Sequence, residues 1–316
     1  IVDLSQLDAG DFLADELFTI VTAPAFGATD VGTITLNSSI TGATFELQIN
    51  GDDMQVQASL GIEWSGTDSS NWNDAANWGG TAPQAGDNLI FTGAGSAPTN
   101  NDFAADTNFG NLIFGPTSGP FTIGGNDIVI NADGMITNES TETQTFNIGI
   151  ASASPMTFDA DEGDLVFNDP ITLNGADGEL IVDGDNNTTI NGAIGESGGT
   201  GTVTKNGDGE LELAADNTYT GDTTVTAGRL NLTGTVDGDV VVTGGTLVLA
   251  IDAGIDAGQS LNLNGGALES NNDARNVANA VNVGGNFAVN AGSDLELSGA
   301  MGLGAANRTA TINNTL

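Results

Sequence analysis

Apolar and polar residues alternate along this chain in short runs, each closed by glycine or by Asn and Asp. In the segment 204–232, TKNGDGELELAADNTYTGDTTVTAGRLNL, the runs are built on Leu211 and Leu213, then Val225, then Leu230 and Leu232. Period-two alternation of this length predicts short strands, and the glycines between them predict tight corners. A glycine followed two or three residues later by Leu-x-Leu recurs at Gly209/Leu211/Leu213, Gly228/Leu230/Leu232, Gly245/Leu247/Leu249, Gly258/Leu261/Leu263 and Gly292/Leu295/Leu297. The first leucines stand 19, 17, 14 and 34 residues apart. The last step is about two of the others, so one rung is expected to lack its leucines. A period near twenty is too short for an independent domain and suits one coil of a solenoid, which buries its apolar face only by stacking on the next coil. No long helical pattern occurs anywhere.

The positions Lys205, Gly207, Gly209, Leu211, Leu213, Asn217, Tyr219, Gly221, Thr223, Val225, Gly228, Leu230 and Leu232 fall in one register. That segment closely resembles the autotransporter-associated β-strand repeat of bacterial surface and secreted proteins. The resemblance implies an all-β chain folded as a right-handed parallel β-helix, exposed outside the cell as part of a long adhesive or structural protein. It implies no catalytic site. A weaker echo aligns 163–175 with 293–304 at an offset of 130, matching Asp164/Asp294, Leu165/Leu295, Phe167/Leu297 and Ile171/Met301. The cycle is therefore expected to begin again near Leu316, as in an excerpt of a longer array.

Three regions follow. Residues 1–60 read as a β-rich segment or the end of a preceding module, with a hairpin signal at Asn50-Gly51. Residues 61–150 open with Trp64-Ser65-Gly66, Trp72, Asn77-Trp78, Pro83 and Gly86-Asp87, a pattern that resembles a module start in secreted proteins carrying the same strand repeats. Residues 151–316 form the repeat array proper. At about 20 residues and 4.8 Å per coil, the array is expected to make a rod of order 60 to 75 Å.

Composition narrows the function. The chain has 46 Gly, no Cys and no His, so stability rests on backbone pairing and stacking, and neither a thiolate nor an imidazole is available for catalysis or metal ligation. Four Lys and Arg stand against 42 Asp and Glu, and a net charge of −38 argues against nucleic acid and anionic membranes as partners. No apolar run is long enough to span a bilayer as a helix.

The acidity has two readings, solubility in an external medium or Ca²⁺ coordination at turns. For the second, Asp159, Asp161, Glu162 and Asp164 are the densest oxygen donors. Trp64, Trp72 and Trp78 either cap an end of the solenoid or, exposed, stack on sugar rings. Leu17, Phe18, Ile20 and Val21 form an apolar alternating stretch that could complement a neighbouring subunit as an added strand.

The reading these features support is an extracellular rod, surface fibre or matrix component that associates with itself end to end. A carbohydrate-binding adhesin module using the tryptophans is the alternative, with polysaccharide or a host surface as partner. A β-helix polysaccharide lyase or hydrolase has the least support, because Lys205, Arg229, Arg275 and Arg308 are scattered through repeat positions and nothing singles out one carboxylate pair.

Overall fold

Strands of three or four residues are the shortest that place two side chains inward and one outward, and the described residues 61–313 are built almost wholly from them. The structure, a computed structural model, describes residues 17–22, 43–50, 53–66, 69–93, 98–252, 254–290, 292 and 294–313, with side chains from residue 61 onward. Strand after strand shows the alternation buried, half-buried, buried, as in Leu165–Phe167, Thr188–Ile190 and Val240–Val242. The chain winds as a parallel β-solenoid.

Among the described residues, a first ladder of twelve parallel strands runs from Ile62–Trp64 to Met301–Gly302. A second of eleven runs from Thr99–Asn101 to Ala310–Ile312, and a third of five from Thr107–Phe109 to Ile194–Ser197. Eleven steps of about 4.8 Å make the first ladder roughly 50 Å long. It passes residues 150 and 151 without interruption, so the Trp-containing stretch and the repeat array share one ladder. Among the described residues no helix is long and apolar enough to cross a membrane.

Inward positions meet their equivalents one coil away. Phe91 stacks on Phe114 at 5.0 Å, Phe146 on Phe167 at 4.8 Å, and further along Leu211, Leu230, Leu247 and Leu268 form a single file on the second ladder. Asparagines at the corners stack the same way: Asn168 donates to Asn147 at 2.7 Å and Asn191 to Asn168 at 2.8 Å. Each such amide satisfies a neighbour's amide, so polar corners lengthen the stack instead of ending it.

Coil length changes once. In-register partners on the first ladder are 22 to 24 residues apart from Leu89↔Leu112 to Val182↔Lys205, then 20 at Lys205↔Val225 and 17 at Val225↔Val242. The third ladder ends just before this point. Beyond it, that side is held by single bridges, Asp216↔Thr235 and Val236↔Ile255, and by the pair Arg275–Val277 with Leu295–Leu297.

The predicted steps of 19 and 17 are the second-ladder pairs Leu211↔Leu230 and Leu230↔Leu247. The step of 14 is not a rung. Leu261 pairs with Val240 on the first ladder, Leu247 pairs with Leu268, and Leu295 lies on the third side opposite Arg275. The rung without leucines is Phe287–Val289, next to Ala267–Ser270. The offset of 130 likewise joins different faces, since Leu165 is on the second ladder and Leu295 on the third side, while Ile171 is on the third ladder and Met301 on the first. All faces use the same Leu-x-Leu alternation, so spacing alone does not tell one face from another.

Before the solenoid, Leu17–Thr22, Asp53–Leu60 and Ala43–Asn50 form an antiparallel sheet with Asp53–Leu60 in the middle. The pairing from Ala43↔Leu60 to Asn50↔Asp53 closes a hairpin where Asn50-Gly51 predicts one, and residues 51–52 themselves lie outside the described set.

Close coil spacing makes some glycines obligatory. A Cβ on Gly209 would lie 1.8 Å from the Asn186 carbonyl oxygen of the preceding coil. Gly209→Ala is expected to cost about 1–3 kcal/mol, as overpacking does, visible as a lowered denaturation midpoint.

Candidate functional site

The three tryptophans lie together at the start of the solenoid. Trp64 ends the first rung, and the chain then turns back over the end of the core through the 3₁₀ helix Ala75–Trp78, N-capped by Asp74 and stopped by left-handed Gly79. Trp64 meets Trp78 edge-on at 4.9 Å, and Trp72 packs on Phe91 at 5.5 Å and on Phe109 at 5.8 Å. Trp78 Nε1 donates to the Trp72 carbonyl at 2.6 Å. Below them Asn77 ties the loop, donating to Ser69 Oγ and the Asn71 carbonyl and accepting from the Ser69 amide. Exposure is 4% for Trp64, 0% for Trp72 and 4% for Trp78, so the exposed indoles that sugar stacking requires are absent.

The sequence groups Asp159, Asp161, Glu162 and Asp164 within six residues, and the fold separates them. Asp164 Oδ1 accepts the Asn187 amide of the next coil at 3.0 Å, and the Asp161 carbonyl accepts from Asn186 Nδ2 at 2.6 Å. Asp159 sits one coil below Asp183 in register. Burial, then the charges of Asp161, Asp183, Glu139 and Asp185, push its carboxyl up to about 6. Among the described residues no three acidic side chains converge in a manner that could hold a metal ion.

Leu17, Phe18, Ile20 and Val21 belong to an edge strand already paired along one side with this chain's own Asp53–Leu60. Phe18 lies opposite Val56 and Val21 opposite Met54.

The repeat segment is the most closely tied coil. Lys205 stands inward between Val182 and Val225, 1% exposed, and its ammonium donates to the Gly207 carbonyl. Burial lowers its pKa, partly opposed by Asp183 and Asp208. Committed to a turn carbonyl and shut from solvent, it is a structural cation and not a base facing a substrate.

Asn217 replaces the missing third-ladder strand. Its Oδ1 accepts the Ile194 amide at 2.9 Å, and its Nδ2 donates to the Ala215 and Thr235 carbonyls at 2.9 Å each, so one side chain joins three coils. Tyr219, fully buried, bonds Thr223 Oγ1 at 2.6 Å, and burial raises its pKa.

Two contributors escape sequence reading. Glu196 accepts from the Gly201 amide, the Thr220 amide and Thr220 Oγ1 at 2.6 to 2.9 Å, and although desolvation pushes its pKa up, these bonds hold it low. Arg229 bonds Glu210 at 2.8 Å and Glu269 through both terminal nitrogens at 2.8 and 3.0 Å. It thus spans the outward Val248, which is fully buried. Neither role has a local signal, because the partners are 24 and 40 residues away.

Residues 203–232 match the family model of the passenger-associated-transport-repeat. The chain is 32% identical over 203 residues to the adhesin BmaC autotransporter of Brucella suis biovar 1 (strain 1330), an alignment that covers 61% of this chain and 5% of that protein. No solved structure gives a significant match. The chain carries an autotransporter-associated repeat, placed as one in-register coil of a longer solenoid.

Removing the three-coil bracket is expected to be costly. Asn217→Ala leaves the Ile194 amide and two carbonyls without their partner, a loss of about 1–3 kcal/mol for buried polar groups, readable as a shifted chemical denaturation midpoint.

Proposed function

We propose that this chain is part of an extracellular, passenger-type β-solenoid that acts as an adhesin-like rod at the bacterial surface and not as an enzyme. The observation that carries the reading is the seating of the repeat coil. Residues 203–232 do not form a separate module; they extend the first two ladders in register on both sides, through Val182↔Lys205↔Val225 and Ile190↔Leu213↔Leu232. Such a coil serves length and continuity, which is what a spacer or display rod requires. The similarity to an autotransporter adhesin and the charge of −38, which opposes lateral sticking, support the same role.

A non-enzymatic role is supported by how the functional-looking residues are spent. Lys205 is bonded within its own turn, Arg229 is clamped between glutamates, and Arg275 pairs with Asp273 at 3.0 Å. Self-contact along the rod axis, and attachment to a polysaccharide or host surface, belong to the same proposal. For the first, the last coil leaves Met301, Leu303 and Ile312 at 47%, 53% and 63% exposure around a cavity of 550 Å³.

The test is location and shape together. An epitope inserted at an exposed corner such as Asp185 of the native full-length protein is expected to be labelled on intact cells and removed by external protease. Small-angle scattering of the purified chain is expected to report an elongated particle. Labelling confined to permeabilised cells, or a compact particle, would overturn the reading.

A further inference from the structure

We propose that the acidic column Glu139, Asp159 and Asp183, with Asp161 and Asp185 beside it, makes the middle of the solenoid a pH-responsive segment whose coils tighten on protonation and loosen as the column charges. The geometry follows from the ladder itself. Thr137, Asp159 and Asp183 are successive in-register partners, so Asp159 and Asp183 sit one rung apart, about 4.8 Å between strands. Glu139 lies just past the rung below, and Asp161 and Asp185 lie at the corners of the two coils that hold Asp159 and Asp183. Like charges directly opposite on neighbouring strands destabilise the pairing.

Every charged group that acts on Asp159 is a carboxylate: Asp161 from its own corner, Asp183 and Asp185 from the coil above, and Glu139 from the coil below. The nearby cation is Lys205, one rung beyond Asp183; its ammonium interacts with Asp183 and Asp208. The column is therefore neutralised at one end only. Glu139 is also raised, by burial and then by Asp161.

The backbone next to the column shows what the repulsion pulls on. Ala160 donates to the Asp183 carbonyl at 3.3 Å, Asn186 to the Ala160 carbonyl at 2.9 Å and Glu162 to the Asn138 carbonyl at 3.0 Å. These bonds close three successive coils at the corner where the carboxylates stack.

The sign of the effect is fixed by direction. The Asp159 carboxyl rises from its ordinary 3.8 to about 6 in the fold, so the folded state holds the proton more tightly than the unfolded chain. Its stabilising contribution is complete below about pH 4 and is lost as pH rises through about 6. Most surface carboxylates that gain a partner behave in the opposite sense.

Thermal melts of the whole chain at pH 5 and pH 7 test this, with Asp159→Asn, Asp183→Asn and the exposed control Asp133→Asn, which removes the same charge away from the column. Wild type is expected to melt higher at pH 5. Asp159→Asn is expected to shrink that pH difference by about 2–4 °C, the response of a domain of this size to a local change of this kind, and Asp183→Asn to shrink it in the same direction. Asp133→Asn is expected to leave the pH difference near the wild-type value. The proposal is overturned if Asp159→Asn and Asp183→Asn keep the full difference, or if Asp133→Asn loses as much, since overall charge would then account for it.

Discussion

Parallel hydrogen bonding between coils in register is the constraint on which everything else in this molecule depends. A strand of three residues has no stability alone, and its inward residues are buried only because an equivalent strand lies on either side. That requirement explains the composition. Inward positions must tolerate their own kind one rung away, which suits Leu, Val, Ile and stacked Phe, and corners must let backbones approach, which suits Gly. Asn is used where an amide can satisfy the amide above and below it. Charge is the residue property that stacks worst, and the Asp159 column is where the chain stacks it nonetheless.

The repeat coil shows how a solenoid changes cross-section without breaking. The first two ladders pass through Lys205, Val225, Leu213 and Leu232 unaltered, while the third side gives up its strand and is held by side chains. Asn217 takes over the hydrogen bonds that a strand would have made, Glu196 fastens the loop at Thr220, and Tyr219 fills the interior. The conspicuous polar residues of the motif are thus replacements for backbone pairing.

How much of this was legible in the sequence depends on the range over which each signal acts. Alternation and glycine corners are local, and they gave a parallel β-solenoid and the true rung spacing at Leu211, Leu230 and Leu247. Assignment to a face is not local, which is why Leu261 and Leu295 read as members of a file they do not join. The tryptophans marked an end of the array, and only their contacts show that their ring faces are used internally. The run Asp159 to Asp164 looked like one ligand set because its members are close in sequence. On the solenoid the pairings that matter lie one coil away, Asp159 with Asp183 and Asp164 with Asn187, a distance of more than 20 residues.

The loss of the third ladder after Ile194–Ser197 has a mechanical consequence. A beam resists bending according to how far its tension-bearing material lies from its central axis, and hydrogen-bonded sheets are the stiff material here. With three sheets around the core the rod has no strongly preferred bending plane. With two full sheets and a third side held by single bridges and side-chain brackets, it has an easy direction. Lateral load on such a filament is therefore steered into the shorter coils beyond Lys205, which give toward the side that Asn217 holds, while the three-sided part near the tryptophan end keeps its line.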